Sequence, residues 1–313
     1  LQIPYRELDL SEQYKKEVVD SMLADYAQGF TPNPDVLCNR SIKFGGFAKW
    51  ARAQGADFIA TGHYARIRQQ GGHFELLRGA DPEKDQSYFL HLLGQGELAR
   101  ALFPVGGMHK KEVRARAKSF ALPVAEKHDS QGLCFIGAVS MPEFLSRFMP
   151  FENGPVLDIK GAVIGEHEGA AAFTLGERHG FSIRDAALRE QPHYVVAIDT
   201  AKNAITVSPS AGDAKRSDAL IAAPHWVHRP PAWDAELQAQ PRYRHKPIPA
   251  RLVEHARGLA VRFSEPALLP PGQSLVFYQG ETCLGGGVIR KEAPSGSALS
   301  TRAPVRSIVR RVQ

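Results

Sequence analysis

Apolar positions in the first third of the chain fall at helical spacing and are interrupted by short apolar runs. Ser11 has the character of an N-cap, and Val18, Val19, Met22, Leu23 and Tyr26 recur on one helical face before Gly29 ends the pattern. A second helix is predicted from about Arg40 to Gln54, with Ile42, Phe47, Trp50 and Ala51 inward and Gly55 as its stop. Asp57-Phe58-Ile59-Ala60-Thr61 reads as a buried parallel strand ending in Gly62-His63, and Phe74 to Leu77 as another strand. Helical patterns return over Gln86–Leu93 and Lys111–Phe120. Helices alternating with short buried strands predict an open α/β sheet, whose ligands sit at the carboxyl ends of the strands, where Gly62-His63 falls.

From about Gly154 the texture changes to short strands punctuated by glycine and proline. Tyr194–Ile198 and Ala204–Val207 predict a hairpin. Further strands are expected over Ala250–Val253, Leu259–Phe263, Ser274–Tyr278 and Gly287–Arg290, with Pro270-Pro271-Gly272 and Gly285-Gly286 as turns. This spacing favours a small β-barrel or sandwich. The expected organisation is an α/β domain over residues 1–140, a small β-rich domain over 141–212 and a β-barrel over 213–313.

With 43% hydrophobic and 23% charged residues the chain has an ordinary globular composition, and it has no apolar run of membrane-spanning length. Net charge alters the picture more. The formal +6 is unevenly spread: His109–Lys118 carries five Lys/Arg against one Glu, Pro241–Arg262 six against one, and Thr301–Gln313 four against none. Three basic stretches suit a long polyanion, and equally suit ordinary solvated faces. The three cysteines, Cys38, Cys134 and Cys283, form no CxxC pair and no zinc-like spacing, which points to a reducing compartment.

Two cysteine segments stand out chemically. In Thr31-Pro32-Asn33-Pro34-Asp35-Val36-Leu37-Cys38-Asn39-Arg40 two prolines predict a rigid loop, with Asn39 capping the next helix and Cys38 at or just before its N-terminus. Free amides and the helix dipole would favour a thiolate there, and Asp35 is close enough for acid–base work. The competing reading is a proline-rich turn beside a structural cysteine. In Lys127-His128-Asp129-Ser130-Gln131-Gly132-Leu133-Cys134 a polar loop flanked by Lys127 and His128 leads into Cys134. Two such thiols could relay sulfur. Cys283 reads as a structural residue of a barrel strand. Asp81–Leu90 reads as an acidic helix start that would also serve for contacts to RNA.

Taken together, TPNPDVLCNRSIKFG, ADFIATGHYAR, KDQSYFL, LFPVGGMHKKEVR, KHDSQGLCFIG, FTLGERHG, PRYRHKPIPARL and PPGQSLVFYQGETCLGGG resemble the tRNA 2-thiouridylase family, in order and over essentially the whole chain. That bacterial and mitochondrial enzyme sulfurates the wobble uridine of certain tRNAs. The resemblance implies an ATP-pyrophosphatase-type α/β domain, a small central domain and a C-terminal barrel. It implies that Asn33, Pro34 and Asp35 contact the target base, with Asp35 assisting proton transfer. Cys38 would be the nucleophile, Cys134 the persulfide carrier, and the two would end as a disulfide. Gly62 would contact ATP, held with magnesium. His63, Lys84, Asp85, Gln86, Arg242, Tyr243 and Gln273 would contact tRNA. A sulfur-relay protein or cysteine desulfurase would supply the persulfide, in a bacterial cytoplasm or, as the alternative, in mitochondria.

One departure shapes the expectation of activity. The family's Ser-Gly-Gly-Val-Asp-Ser loop, which grips pyrophosphate, is not in this sequence, and the glycine pairs present lie elsewhere. The expectation is therefore a chain shortened within its α/β domain, with poor ATP binding and little thiolation. Two other readings compete with the sulfurtransferase: a tRNA-binding protein that cannot activate the base, and a thiol-redox protein that binds no RNA.

Overall fold

The computed structural model describes residues 3–127, 140–149, 151–233 and 235–291. Cys134 and the basic stretch 301–313 lie outside the described residues. Residues 11–27 form the first helix, which buries Val18, Met22 and Tyr26 and ends at Gly29 (φ +75°). The second helix runs continuously over residues 34–53, with α-helical ends around a wider π-helical stretch at Cys38–Phe47. It begins six residues earlier than the apolar pattern suggested. Pro34 occupies its first turn, where the missing N–H costs nothing and the fixed φ is already helical.

The predicted parallel pairing is present: β1 (Ile59–Ala60) lies parallel to β4 (Ala101–Leu102). Burial is narrower than expected, because Ile59 is enclosed while Phe58 is 55% exposed. Between them, β2 (Ala65–Gln70) and β3 (His73–Arg78) make a hairpin that turns away from this sheet. The expected helix around Gln86 is a single 3-10 turn, Ser87–Leu90. Lys110–Ser119 is helical as read, with every residue at least partly exposed.

The middle region is a five-stranded sheet, ordered β7-β6-β5-β9-β8, from β5 (Gly154–Leu157), β6 (Val163–His167), β7 (Phe181–Ile183), β8 (Tyr194–Asp199) and β9 (Ala204–Ser208). The β8–β9 hairpin is the predicted one. Its core packs Val156, Phe173, Ile183, Val195, Ile205 and Val207.

The last region closes a barrel of β10 (Lys215–Trp226), β11 (Leu237–Gln240), β12 (Ile248–His255), β13 (Gly258–Leu268), β14 (Ser274–Gln279) and β15 (Thr282–Ile289). Pairing runs β10-β13-β12-β11-β14-β15, and β10 also pairs with β15, so no edge is left open on that circuit. Gly285-Gly286 is not a turn but part of β15 at this seam. A Cβ on Gly285 would collide with the His225 carbonyl oxygen, and one on Gly286 with that of Leu275. Only glycine permits that approach. The other end of β15 pairs with β3, Thr282 opposite Leu77 and Cys283 opposite Leu76. The early hairpin thus extends the barrel sheet, and a shared core of Leu76, Tyr88, Leu90, Val276, Tyr278 and Cys283 fills the junction.

Candidate functional site

The loop before the second helix and that helix's first turns carry the chemical residues. Asn33 stands at the N-cap position in an extended conformation, and the Val36 N–H bonds to its carbonyl at 3.2 Å. Asp35 and Cys38 follow three residues apart, so they share a face of the helix. Cys38 therefore does not precede the N-terminus, and Asn39 does not cap. Asn39 is buried within the helix, its amide 3.4 Å from the Phe89 carbonyl. Cys38 itself is only 5% exposed, at the end of the first turn. The helix dipole still reaches it, but weakened by that displacement.

Burial raises the Asp35 carboxyl above its ordinary range, and the charge of Lys43 pulls the other way. Lys43 also acts on His63, whose imidazole is driven down to about 3, chiefly by burial. His63 is neutral at any physiological pH. Its Nδ1 lies 2.7 Å from the Thr61 hydroxyl, and the Phe103 ring stands edge-on at 5.9 Å. It can offer RNA a hydrogen bond, not a cation. Beside it, Gly62 closes β1 at the carboxyl end, and an added Cβ would meet nothing within 4 Å. That open backbone fits close approach by a nucleotide.

Three regions converge on the Thr31–Asp35 loop. The Gln273 amide, buried in the barrel, donates to the carbonyls of Thr31 (2.8 Å) and Pro32 (3.1 Å). Thr31 N–H donates to the Pro271 carbonyl at 2.7 Å. Gly272, at φ +91°, lets the two backbones touch, since its Cβ would fall 2.8 Å from Thr31 N. From the central region the Thr174 hydroxyl stands 3.4 Å from that of Thr31, and Thr174 N–H donates to Glu177. Asn33 in turn bonds through its side chain to Tyr88, whose buried hydroxyl donates to the Ser274 carbonyl at 2.7 Å. Arg242 is exposed but exerts its charge on Tyr88, Tyr26 and Glu177, which places it beside this junction. Tyr243 packs on Phe89 at 4.3 Å between ring centres, and Arg244 lies over its ring at 5.4 Å.

The Lys84-Asp85-Gln86 segment lies next to His63 but is largely engaged. Asp85 accepts from the N–H groups of Gly79 and Ser87 (3.0 Å each) and from Arg78 at 2.8 Å. Gln86 accepts from Tyr64 N–H at 3.0 Å and donates its own N–H to the Tyr64 carbonyl at 2.8 Å. These bonds fix the turn that presents Lys84. The third cysteine, Cys283, is fully buried in β15, and burial pushes its thiol up to about 12, so it is inert as a nucleophile. Tyr88, Lys43, Thr174 and Glu177 were not singled out in the sequence, though Tyr88 lies within KDQSYFL, Lys43 within the first cysteine segment, and Thr174 and Glu177 within FTLGERHG.

Family comparisons show what the chain as a whole is similar to. Three family models match in succession: a tRNA methyl transferase HUP domain over residues 1–138, a tRNA methyl transferase PRC-barrel domain over 142–209, and an aminomethyltransferase beta-barrel domain over 216–289. A tRNA-specific 2-thiouridylase MnmA of Xanthomonas campestris pv. campestris is 46% identical over 96% of this chain and 83% of its own length. The chain belongs to this thiouridylase family. A tRNA-specific 2-thiouridylase MnmA of Stenotrophomonas maltophilia, also 46% identical, matches 96% of this chain and 81% of its own. The expected architecture is correct: an α/β HUP domain, a PRC-barrel domain and a β-barrel. No helix among the described residues is long and apolar enough to cross a membrane.

Proposed function

We propose that this chain is a tRNA-uridine 2-sulfurtransferase, with Cys38 and Asp35 as its reacting groups among the described residues. The observation that carries the reading is the bracing of Thr31 and Pro32, which lead directly into Asn33-Pro34-Asp35, by groups from the barrel and the central region, with Cys38 one turn further along. A rigid loop ending in an amide, a protonatable carboxyl and a thiol suits a flipped-out pyrimidine. Asn33 would orient the base edge. Asp35, raised by burial, would hold or release the uracil N3 proton.

ATP with magnesium, approaching past Gly62, would supply the leaving group at C2 of the uridine. Cys134, outside the described residues, would carry the incoming sulfur as a persulfide loaded by a sulfur-relay protein or cysteine desulfurase. Its terminal sulfur would bond C2 as AMP departs with the original oxygen. The Cys38 thiolate would then attack the Cys134 sulfur. The S–S bond to the transferred atom breaks with its electron pair moving to that atom, giving the thiocarbonyl and a Cys38–Cys134 disulfide. Two electrons from a thiol reductant would reset the pair. His63, Lys84, Arg242 and Tyr243 would hold the tRNA. Asp85, Gln86 and Gln273 would act by fixing the loops that do so.

Incubation with tRNA, ATP, magnesium and a persulfide donor, read on mercury-affinity gels, tests this. Wild-type chain should form 2-thiouridine slowly, because the Ser-Gly-Gly-Val-Asp-Ser loop is not in this sequence, and Cys38→Ser should lose even that with unchanged thermal stability and tRNA affinity. Thiolation by Cys38→Ser at the wild-type rate would overturn the assignment. Salt-dependent tRNA binding without thiolation would instead favour a binding protein.

A further inference from the structure

The central sheet holds a feature that the base site does not use. At the free edge strand β7 lies an open hollow of about 700 Å³, lined by Arg178, His179, Arg184, Arg189 and His193, with Glu166 as its one carboxylate. Glu166 is taken by Arg184 at 3.2 Å. Arg189 is oriented by its own backbone neighbourhood: Nε donates to the Ile183 carbonyl at 2.5 Å and a terminal nitrogen to that of Arg184 at 3.1 Å. His193 is buried, with Nδ1 3.0 Å from the Gln191 carbonyl. Arg178 is exposed and makes no ion pair among the described residues. Three guanidiniums facing one carboxylate leave the hollow with an uncompensated positive field.

Its place in the chain connects it to the base site. Arg178 and His179 directly follow Glu177, which feels the charge of Arg242 and receives the Thr174 N–H. Thr174 reaches Thr31 of the base loop. One segment, residues 174–179, therefore touches the base loop at one end and lines the hollow at the other. We propose that this hollow binds phosphodiesters of the tRNA backbone beside the target nucleotide, a role that rests on the tRNA-binding reading above. Forked guanidiniums match phosphate oxygens, and of the lining rings Phe181 packs against the central core instead of offering a stacking face. The hollow would therefore position the RNA without reading sequence.

The test is tRNA affinity against salt for the full chain and for Arg178→Ala/His179→Ala, by filter binding with several tRNAs. We expect affinity to fall roughly 3- to 10-fold and equally for all tRNAs, with the log–log salt slope shallower by about one for each phosphate no longer neutralised. In thiolation assays KM should rise while kcat at saturating tRNA holds, and the melting temperature should be unchanged. Wild-type affinity and slope in the double variant, beside salt-dependent binding by the wild type, would overturn the hollow alone. A wild type that binds no tRNA would overturn the proposed function with it. Inorganic pyrophosphate bound with unaltered tRNA affinity in the variant would mark a small-anion site and also refute the proposal.

Discussion

Gln273 is the residue whose role the structure redefines most sharply, and it supports a quantitative test. The resemblance makes it a tRNA contact, yet its side chain is buried and its amide donates to two loop carbonyls, at 2.8 and 3.1 Å. Gln273→Ala strands both acceptors. Each missing bond costs about 1 kcal/mol net, and a buried acceptor without a partner up to about 3 kcal/mol, so about 2–3 kcal/mol is expected in all. That energy falls on the set conformation of the loop more than on global unfolding, because the barrel core does not include Gln273. A local penalty of about 2 kcal/mol shifts the equilibrium between set and displaced forms roughly 30-fold, which lowers the set population roughly 15-fold if the two start near balance. Gln273→Glu should be worse, since a carboxylate would face two carbonyl oxygens. The assay is amide hydrogen exchange without RNA, followed at Thr31, whose N–H is bonded to Pro271, and at Val36. Both should exchange faster in Gln273→Ala and faster still in Gln273→Glu. Unchanged exchange with weakened tRNA affinity would refute the brace and restore direct RNA contact.

Two other outcomes follow from buried charge. His63 and His91 are held by burial down at about 3 and about 4, below the ordinary 6.5, so the unfolded chain takes up protons first as pH falls. Their stabilisation is complete above about pH 6.5 and is lost at about 1.4 kcal/mol per pH unit for each, or about 2 kcal/mol each by pH 5; urea melts from pH 7 to 5 that show no loss would contradict it. Arg78 lies 3.5 Å over the Tyr278 ring and pairs with Asp85 at 2.8 Å, so Arg78→Ala should cost about 2–4 kcal/mol by stranding that carboxylate. A thermal melt unchanged from wild type would show the pair to be dispensable.

The strand pattern and the hairpin at β8–β9 were legible because alternation survives in a half-buried sheet. The helix start was not. Pro32 and Pro34 read as helix breakers, but a proline at the first helical position is permitted, and that shifts Cys38 from the N-terminus into the body of the helix. Motifs likewise located the site without giving each side chain's direction. Asp85, Gln86 and Gln273 lie in segments typical of RNA contact, yet their polar atoms are consumed by neighbouring backbone. For Gln86 and Gln273 no local pattern carries that information, because their partners are distant in sequence. The same holds for β3, which joins the barrel through Leu77 and Thr282.

The loop's own composition explains why it needs such distant partners. Pro32 and Pro34 have no N–H to donate, and the local turn bond from Val36 N–H goes to the Asn33 carbonyl, not to those of Thr31 and Pro32. The carbonyls of Thr31 and Pro32 are nevertheless enclosed and must find donors, and the barrel supplies both through one amide. Rigidity in the loop before the second helix is thus borrowed from outside the α/β region. A tRNA gripped by the barrel and the central sheet would pull on the groups that set Asn33 and Asp35, so backbone contacts far from the uridine would bear on the geometry in which its C2 is attacked.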